Sequence, residues 1–324
     1  MRQLIDPFLA LLIATVLLAS VLPAHGIAAT AVSDLATAAI VLLFFLHGAR
    51  LARENLIAAL GHWRLHLTIL SITFVLFPLL GLALSSGLHG LMPAGLWTGI
   101  LFLCALPSTV QSSIAFTSIA RGNVAGTVAS AATSNMLGIG LTPVIVGLLT
   151  EAHGSSVSLS GIWDIVEQLL VPFALGHLLR PWIGGWVGRH RKLLSFTDRG
   201  TVIFAVYSAF SAAVVEGIWH QVSAPNLLVL LLVDAVLLAA VLLLTRFIAR
   251  RLGFNKEDEI SIVFCGSKKS LVSGIPMARV LFAPSAVGAA VLPLMIFHQM
   301  QLMVCAWLAK RYGSRPGGPM LEEH

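Results

Sequence analysis

Two adjacent lysines, Lys268 and Lys269, lie in the middle of an apolar segment that also contains serines, glycines and a proline. A lysine at the centre of a membrane-spanning helix costs about 2.5 to 3.5 kcal/mol on insertion scales, so it normally faces an internal cavity and has a function there. The pair could hold an anion, replace the charge of a bound cation or exchange protons. A structural alternative is that one lysine reaches the membrane interface while the other pairs with an acid. Because adjacent helical residues point about 100° apart, at most one of the two is expected to face a given cavity.

A second polar cluster in apolar surroundings follows Pro107. Proline removes a backbone donor and interrupts a helix, and several neighbouring side chains can donate or accept hydrogen bonds: Ser108, Thr109, Gln111, Ser112 and Ser113. Unwound backbone is tolerated at membrane depth only where protein or water satisfies it. Single Ser and Thr residues often only bond back to their own helix or to a neighbouring helix. The clustering beside a proline favours a cavity lined by these residues.

Further candidates are scattered along the chain. Asp234 lies well inside an apolar run and could be the counter-ion of a lysine or a member of an unrelated structural pair. Ser270 directly follows the two lysines. Asn135 could line the same cavity, although a lone intramembrane Asn often only joins neighbouring helices. His298 could relay protons or pack as a hydrogen-bonded residue.

The composition shows which elements must position these residues. With 57% hydrophobic residues, 10% charged residues and a mean hydropathy of +0.93, the chain is too apolar for a soluble domain. An all-α polytopic membrane protein is expected. Ten apolar spans can be marked, at about residues 7–23, 31–48, 65–86, 95–120, 123–150, 161–179, 200–219, 226–248, 257–281 and 285–309.

Basic residues predict the orientation of these spans. If both termini lie on one side, all but three of the lysines and arginines fall on that side, which places the termini in the cytoplasm by the positive-inside rule. The start of the chain imitates a signal peptide, but further spans follow it, so we expect an uncleaved first helix. The compact form of the chain suggests a bacterial inner membrane.

The polar stretch from Glu151 to Ser160 divides the spans into two sets of five. Because five is odd, two halves of similar fold would have opposite orientations, as in the inverted repeats of many secondary transporters. The fourth and ninth spans hold corresponding positions, and both are interrupted. We therefore expect one membrane domain over residues 1–324, with a first repeat at 1–150, a second at 161–311 and a tail at 312–324.

Several enzyme classes lack their motifs in this sequence. There is no phosphate-binding Walker loop, HExxH zinc motif or GxSxG nucleophile elbow, which argues against an ATP-driven pump, a membrane hydrolase and enzymatic activity in general. Cys104, Cys265 and Cys305 show no metal-type spacing, so no metal or cofactor is expected.

Two stretches resemble a known family. The run Ala120-Arg-Gly-Asn123 after a proline-broken polar helix, with Leu141-Thr-Pro143 behind it, is similar to the bile acid:sodium symporter family (BASS, solute carrier family 10). The pairing of Leu106–Ser118 with Phe264–Ser270 most resembles the divergent branch typified by the seventh member of that solute carrier family. The resemblance implies ten helices in an inverted five-plus-five repeat, with panel and core domains and a crossing of broken helices four and nine.

The resemblance also locates a departure from the sodium site of the family. Sodium-coupled members use a Ser-Asn pair in the fourth helix, hydroxyls in the fifth, and a Glu with a Gln in the ninth. Ser112 and Ser113 lie near the first pair and Thr127 matches one hydroxyl, but Phe264 takes the place of the Glu and Lys268 that of the Gln. A cation there should repel sodium. Sodium binding is therefore not expected.

These observations lead to two hypotheses of different classes. The first is a secondary active transporter of a small organic, anionic solute that works by alternating access, with a lysine replacing the usual sodium-site charge. Its expected partners are the solute, protons or another coupling ion, and the lipid bilayer, but not nucleic acid. The predicted binding residues are Gln111, Ser112, Ser113, Thr127, Asn135, Lys268, Lys269, Ser270 and His298, with Asp234 as a possible counter-ion. The second hypothesis is a regulatory or scaffold membrane protein that keeps the fold without transport.

Overall fold

The computed structural model describes residues 7–50, 61–151, 166–215, 217 and 222–315, and the regular elements in these ranges are helices. In chain order they are α1 (Pro7–Val21), α2 (Gly26–Arg50), α3 (Trp63–Ser71), α4 (Phe77–Leu88), α5 (Ala94–Ala105), α6 (Gln111–Ile119), α7 (Val124–Glu151), α8 (Val171–Arg189), α9 (Arg191–Val215), α10 (Ala224–Arg251), α11 (Lys256–Gly266), α12 (Leu271–Leu281) and α13 (Pro284–Gly313). π-helical turns at Ile72–Leu76 and Val166–Leu170 precede α4 and α8, and a short 3₁₀ turn, His89–Leu91, follows α4.

Six helical segments in the described ranges are long and apolar enough to cross a membrane: Gly26–Arg50, Trp63–Leu91, Val124–Thr150, Lys192–Val215, Ala224–Arg251 and Pro284–Gly313. Each predicted span contains helix where it is described, so the all-helical, polytopic class is confirmed. The inverted repeat stays a prediction. Residues 152–160 of the predicted polar divider, and the tail beyond residue 315, lie outside the described residues.

Two predicted boundaries were wrong. The sixth span was expected to end near residue 179, but its helix, α8, continues to Arg189. The seventh span was expected to begin near residue 200, but its helix, α9, begins at Arg191. The polar first turns are helical because they pack against α2, where Arg50 forms an ion pair with Asp198. Hydropathy alone does not detect a helical extension of this kind, since its residues resemble those of a loop.

Helices α1, α2, α8 and α9 pack into one group, in which α2 contacts both α8 and α9. The contact between α2 and α8 is backbone on backbone. A Cβ at Gly48 would lie 2.0 Å from the Phe173 carbonyl oxygen, and a Cβ at Gly176 would lie 1.9 Å from that of Phe45. Only glycine permits this approach. The remaining helices form a second group, and a large buried apolar cluster contains residues of both groups.

Within the second group, the two predicted interruptions are real breaks. The fourth span divides into α5 and α6 around Leu106–Val110, and the ninth into α11 and α12 around Ser267–Ser270. Pro107 lies in the first break and packs on α7, where a Cβ at Gly138 would come within 2.7 Å of the proline ring. Pro276 causes no interruption, because it lies inside the continuous helix α12.

Candidate functional site

The two helix breaks lie against each other, and together we call them the crossing (Leu106–Val110 and Ser267–Ser270). The Ser270 N–H donates to the Pro107 carbonyl at 2.9 Å. In the other direction, the Ser108 hydroxyl donates to the Cys265 carbonyl at 2.5 Å. Each broken helix thus satisfies backbone groups that the other has left without a helical partner, as unwound backbone at membrane depth requires.

Helix α7 supports the crossing through Asn135. The side-chain amide donates to the Ser108 carbonyl at 2.8 Å, and its oxygen accepts from the Ser273 hydroxyl at 3.0 Å. The neighbouring Ser134 hydroxyl accepts from the Ser108 N–H at 3.1 Å. Asn135 therefore joins the two broken helices to each other as well as to α7.

Helix α13 supports the crossing from the other side through Gln301, which is fully buried. Its side-chain oxygen accepts from the Lys269 N–H, and its amide donates to the Lys269 carbonyl, both at 3.0 Å. The same amide lies 2.9 Å from His298 Nδ1. One side chain therefore satisfies both backbone groups of Lys269, the residue at which the ninth span is broken.

The ammonium group of Lys269 is fully buried and has a complete set of partners. It donates to the carbonyls of Thr73 at 2.8 Å and of Cys104 and Leu106 at 2.7 Å, and it lies 4.1 Å from the centre of the Phe77 ring. An ammonium has three hydrogen-bond donors, so none is left for a ligand.

A proline and the first helix break account for carbonyls that Lys269 contacts. In the π-helical turn before α4, the Phe77 N–H bonds to the carbonyl of Ile72, and the next residue, Pro78, has no N–H to offer to Thr73. At the first break, the Ser108 N–H, which would bond to the Cys104 carbonyl in a continuous helix, turns towards α7 instead. Lys269 thus fastens α3, α4 and the fourth span to the ninth.

Lys268 is equally buried, but its ammonium has no hydrogen-bond partner among the described residues. It lies 3.8 Å from the centre of the Phe116 ring on α6. A cation over an aromatic ring gains about 0.5 to 2 kcal/mol, less than removing the charge from water costs. The two adjacent lysines therefore differ in their surroundings: the Lys269 ammonium donates to three carbonyls, whereas the Lys268 charge is uncompensated by hydrogen bonds from the described residues.

A cavity of about 450 Å³ adjoins the crossing, between the two groups of helices. Polar residues of the crossing and its supports line one wall: Thr109, Gln111, Ser112, Asn135, Ser270, Ser273 and His298. The facing wall consists of residues of α2, α8 and α9, including Phe44, His47, Arg50, Phe173, Asp198 and Arg199. The volume is in the range of small-molecule sites.

The structure brings together five of the predicted binding residues in this lining: Gln111, Ser112, Asn135, Ser270 and His298. The others lie outside it, and their binding roles stay predictions. Ser113 donates to the Phe264 carbonyl at 3.0 Å, and Thr127 donates to the Asn123 carbonyl at the same distance. Asp234 is fully buried on α10, and neither of its carboxylate oxygens has a hydrogen-bond partner in the described part of the chain.

The starts of two half-helices meet at this cavity. Helix α6 begins at Gln111 and α12 at Leu271, and both residues belong to the lining. The first N–H groups of a helix have no partner within it, and the helix dipole is positive at this end. Two such ends, with a buried ammonium behind them, favour an anion at the crossing.

The sequence did not indicate the facing wall. His47, Arg50, Asp198 and Arg199 lie at the ends of α2 and α9, and the arginines were counted only as markers of topology. The one visible signal for this wall is Asp198, an acidic residue within the basic stretch from Arg191 to Arg199. The sequence does not show, however, that Asp198 packs against α2.

Comparisons with known proteins show what the chain is similar to. The model of the SBF-like CPA transporter family matches residues 6–314. An uncharacterized protein of Pseudomonas aeruginosa is 57% identical over 97% of this chain and 95% of its own length. YfeH of Escherichia coli (strain K12), which is provisionally named a symporter, is 56% identical over 96% of this chain and 93% of its own length. Sodium/bile acid cotransporter 7 of Mus musculus is 29% identical over 82% of this chain and 79% of its own length.

Proposed function

We propose that this chain, which belongs to the SBF-like CPA transporter family, carries a small organic anion across the membrane by alternating access. The observation that carries the proposal is the cavity at the crossing, where two half-helices begin and hydroxyl and amide groups line the wall. Discontinuous helices whose positive ends face a site between two groups of helices are a recurring plan for anionic substrates in secondary transporters. The relatives from Escherichia coli and Mus musculus are named as transporters rather than enzymes.

In this proposal, fixed charge at the crossing does the work that a bound sodium ion would do. Lys268 is buried beside the crossing with an uncompensated charge, and it takes the place of a residue that the family resemblance associates with sodium. Because the positive charge belongs to a lysine side chain, transport does not require sodium in the medium. The coupling ion is then a proton or another ion, and transport should persist when sodium is absent.

The arrangement of the cavity supports a state that is open to one side. Its lining extends from the crossing to Arg199, which is exposed at the start of α9. At the other end of α2, the Arg279 guanidinium of α12 donates to the Ser33 hydroxyl at 3.1 Å and joins the two helix groups. By the positive-inside rule the arginine-rich side is cytoplasmic, so we assign an inward-facing state, cytoplasmic termini and a bacterial inner membrane.

Uptake into proteoliposomes tests the proposal. The purified protein is reconstituted, a cell metabolite extract is added outside, and accumulated solutes are identified by mass spectrometry, with and without sodium and with and without a proton gradient. We expect an organic anion to accumulate without sodium. Reproducible absence of any accumulated solute would favour the second hypothesis, a regulatory or scaffold protein with a transporter fold.

A matched pair of variants connects uptake to the cavity. Ala132 lines the cavity and Ala125 lies exposed on the same helix, α7. Ala132→Trp should fill the cavity and abolish uptake, whereas Ala125→Trp should leave uptake close to that of the wild type. Equal uptake by both variants would show that the solute does not pass through this cavity.

A further inference from the structure

The second wall of the cavity contains an ion pair with spare hydrogen-bonding capacity. Arg50 Nη1 donates to Asp198 Oδ2 at 2.6 Å. The other terminal nitrogen of Arg50, Nη2, and the other oxygen of Asp198, Oδ1, are buried and have no hydrogen-bond partner among the described residues. Arginine and carboxylate groups frequently form two parallel hydrogen bonds. The single bond here leaves one donor and one acceptor uncommitted in the same place.

The burial of these uncommitted atoms suggests that a ligand supplies their partners. Asp198 is 8% exposed, and buried polar groups in native proteins nearly always have partners. Both residues line the cavity, and 27% of the Arg50 side chain is exposed. The uncommitted Nη2 is itself buried, so the guanidinium must turn about its side-chain torsions to donate to a ligand in the cavity.

We propose that Arg50 and Asp198 form a substrate-binding pair that takes a small carboxylate carrying a neighbouring hydroxyl or amino group. The inference rests on the proposed transport function and names its substrate class. The guanidinium fork matches a carboxylate, and the free oxygen of Asp198 requires a hydrogen-bond donor beside it. The phosphoryl group of a phosphate monoester dianion offers only acceptors, and its two negative charges would be repelled by Asp198, so it fits the pair less well.

A purely structural pair is the competing explanation, because the same contact fastens α2 to α9. The Thr201 hydroxyl of α9 also approaches the Ala39 carbonyl of α2, at 3.4 Å. A charge-swapped variant, Arg50→Asp with Asp198→Arg, separates the two explanations. The charge-swapped variant restores an ion pair between α2 and α9. It exchanges the positions of the guanidinium donor and the carboxylate acceptor, so a ligand held by the rest of the cavity no longer meets matching groups.

Ligand binding to the purified, full-length protein provides the test, with matched carboxylates as probes. Lactate or alanine is compared with propionate, and mandelate or phenylglycine with phenylacetate, by ligand-induced shifts of the thermal unfolding midpoint and by uptake into proteoliposomes. In at least one set, we expect the hydroxyl- or amino-bearing compound to bind at least about tenfold more tightly, as for a hydrogen bond to a charged group. Asp198→Asn should lose most of this preference, and the charge swap should fold but not bind.

Each contrary result overturns the inference in a recognisable way. Equal binding of the matched carboxylates by the wild type, or binding restored by the charge swap, would leave the pair as a structural contact. If none of these carboxylates binds while another solute from the extract accumulates, the substrate class is wrong although transport stands. If no solute accumulates, the transport proposal itself fails. Arg311→Gln, at an exposed position on α13 outside the cavity lining, serves as the control and should bind as the wild type does.

Discussion

Replacing each of the two adjacent lysines by methionine should change stability in opposite directions. Methionine keeps the length of the side chain and removes the charge. Lys268 has no hydrogen-bond partner among the described residues, whereas Lys269 donates to three carbonyls. The same substitution therefore removes an uncompensated charge at position 268. At position 269 it removes the ammonium that donates to three buried carbonyls.

The magnitudes follow from these contacts. For Lys268→Met, relief of a buried charge of about 2.5 to 3.5 kcal/mol outweighs the lost ring contact of about 0.5 to 2 kcal/mol, so the variant should be about 0.5 to 3 kcal/mol more stable. For Lys269→Met, three buried carbonyls lose their donor at about 1 to 3 kcal/mol each, and the contact with the Phe77 ring is lost at about 0.5 to 2 kcal/mol. Relief of the buried charge offsets about 2.5 to 3.5 kcal/mol of this loss. We expect this variant to be less stable by about 4 kcal/mol, within a range of about 0 to 8.5 kcal/mol.

Thermal unfolding in detergent, followed by the fluorescence of the seven tryptophans, measures both changes. Lys310→Met provides the control, since this exposed lysine at the end of α13 should affect stability by no more than about 0.5 kcal/mol. Equal destabilisation by the two buried substitutions would refute the distinction between them. An unchanged midpoint for Lys269→Met would show that the three carbonyls do not depend on the ammonium.

Two further predictions concern the supports of the site. Gly176→Ala should impair folding, because its Cβ would lie 1.9 Å from the Phe45 carbonyl oxygen, and it should lower the yield of monodisperse protein on size-exclusion chromatography. Gly185→Ala on the same helix is the control: its Cβ meets nothing within 4 Å, so it should be neutral or slightly stabilising. Similar elution profiles for the two would contradict the close packing of α2 on α8. Gln301→Leu should lower the thermal unfolding midpoint, with a loss of about 1 to 3 kcal/mol, because the Lys269 N–H loses its partner. The Lys269 carbonyl keeps only its longer contact of 3.4 Å with His298 Nδ1. An unchanged midpoint would mean that other groups satisfy this backbone.

The sequence predicted the fold class well because the relevant signals are local. Apolar runs marked the spans, and Pro107 together with the serines after it marked the first break. The second break was expected in the ninth span, where serines, glycines and a proline surround the two lysines, and the structure places it at Ser267–Ser270. Breaks of this kind are detectable because proline and clustered polar residues are costly in a membrane helix unless something compensates them.

The candidate site was predictable only on the side that carries those breaks. Asn135 and His298 were recognised as polar residues in apolar helices, and both line the cavity. The roles of the lysines were not predictable, because hydrogen bonds to carbonyls of two other spans distinguish Lys269 from Lys268. Likewise, Arg50 and its partner meet across 148 positions of sequence, a separation at which no spacing rule applies.

The central claim is that fixed charge beside the crossing replaces a coupling sodium ion during transport. Uptake by the wild type and by Lys268→Met in sodium-free proteoliposomes tests it most directly, with the unfolding midpoint of the variant measured on the same preparation. Our account predicts that the wild type accumulates an organic anion without sodium, and that Lys268→Met is folded but does not accumulate it. Sodium-dependent uptake by the wild type, or undiminished uptake by the variant, would contradict the account.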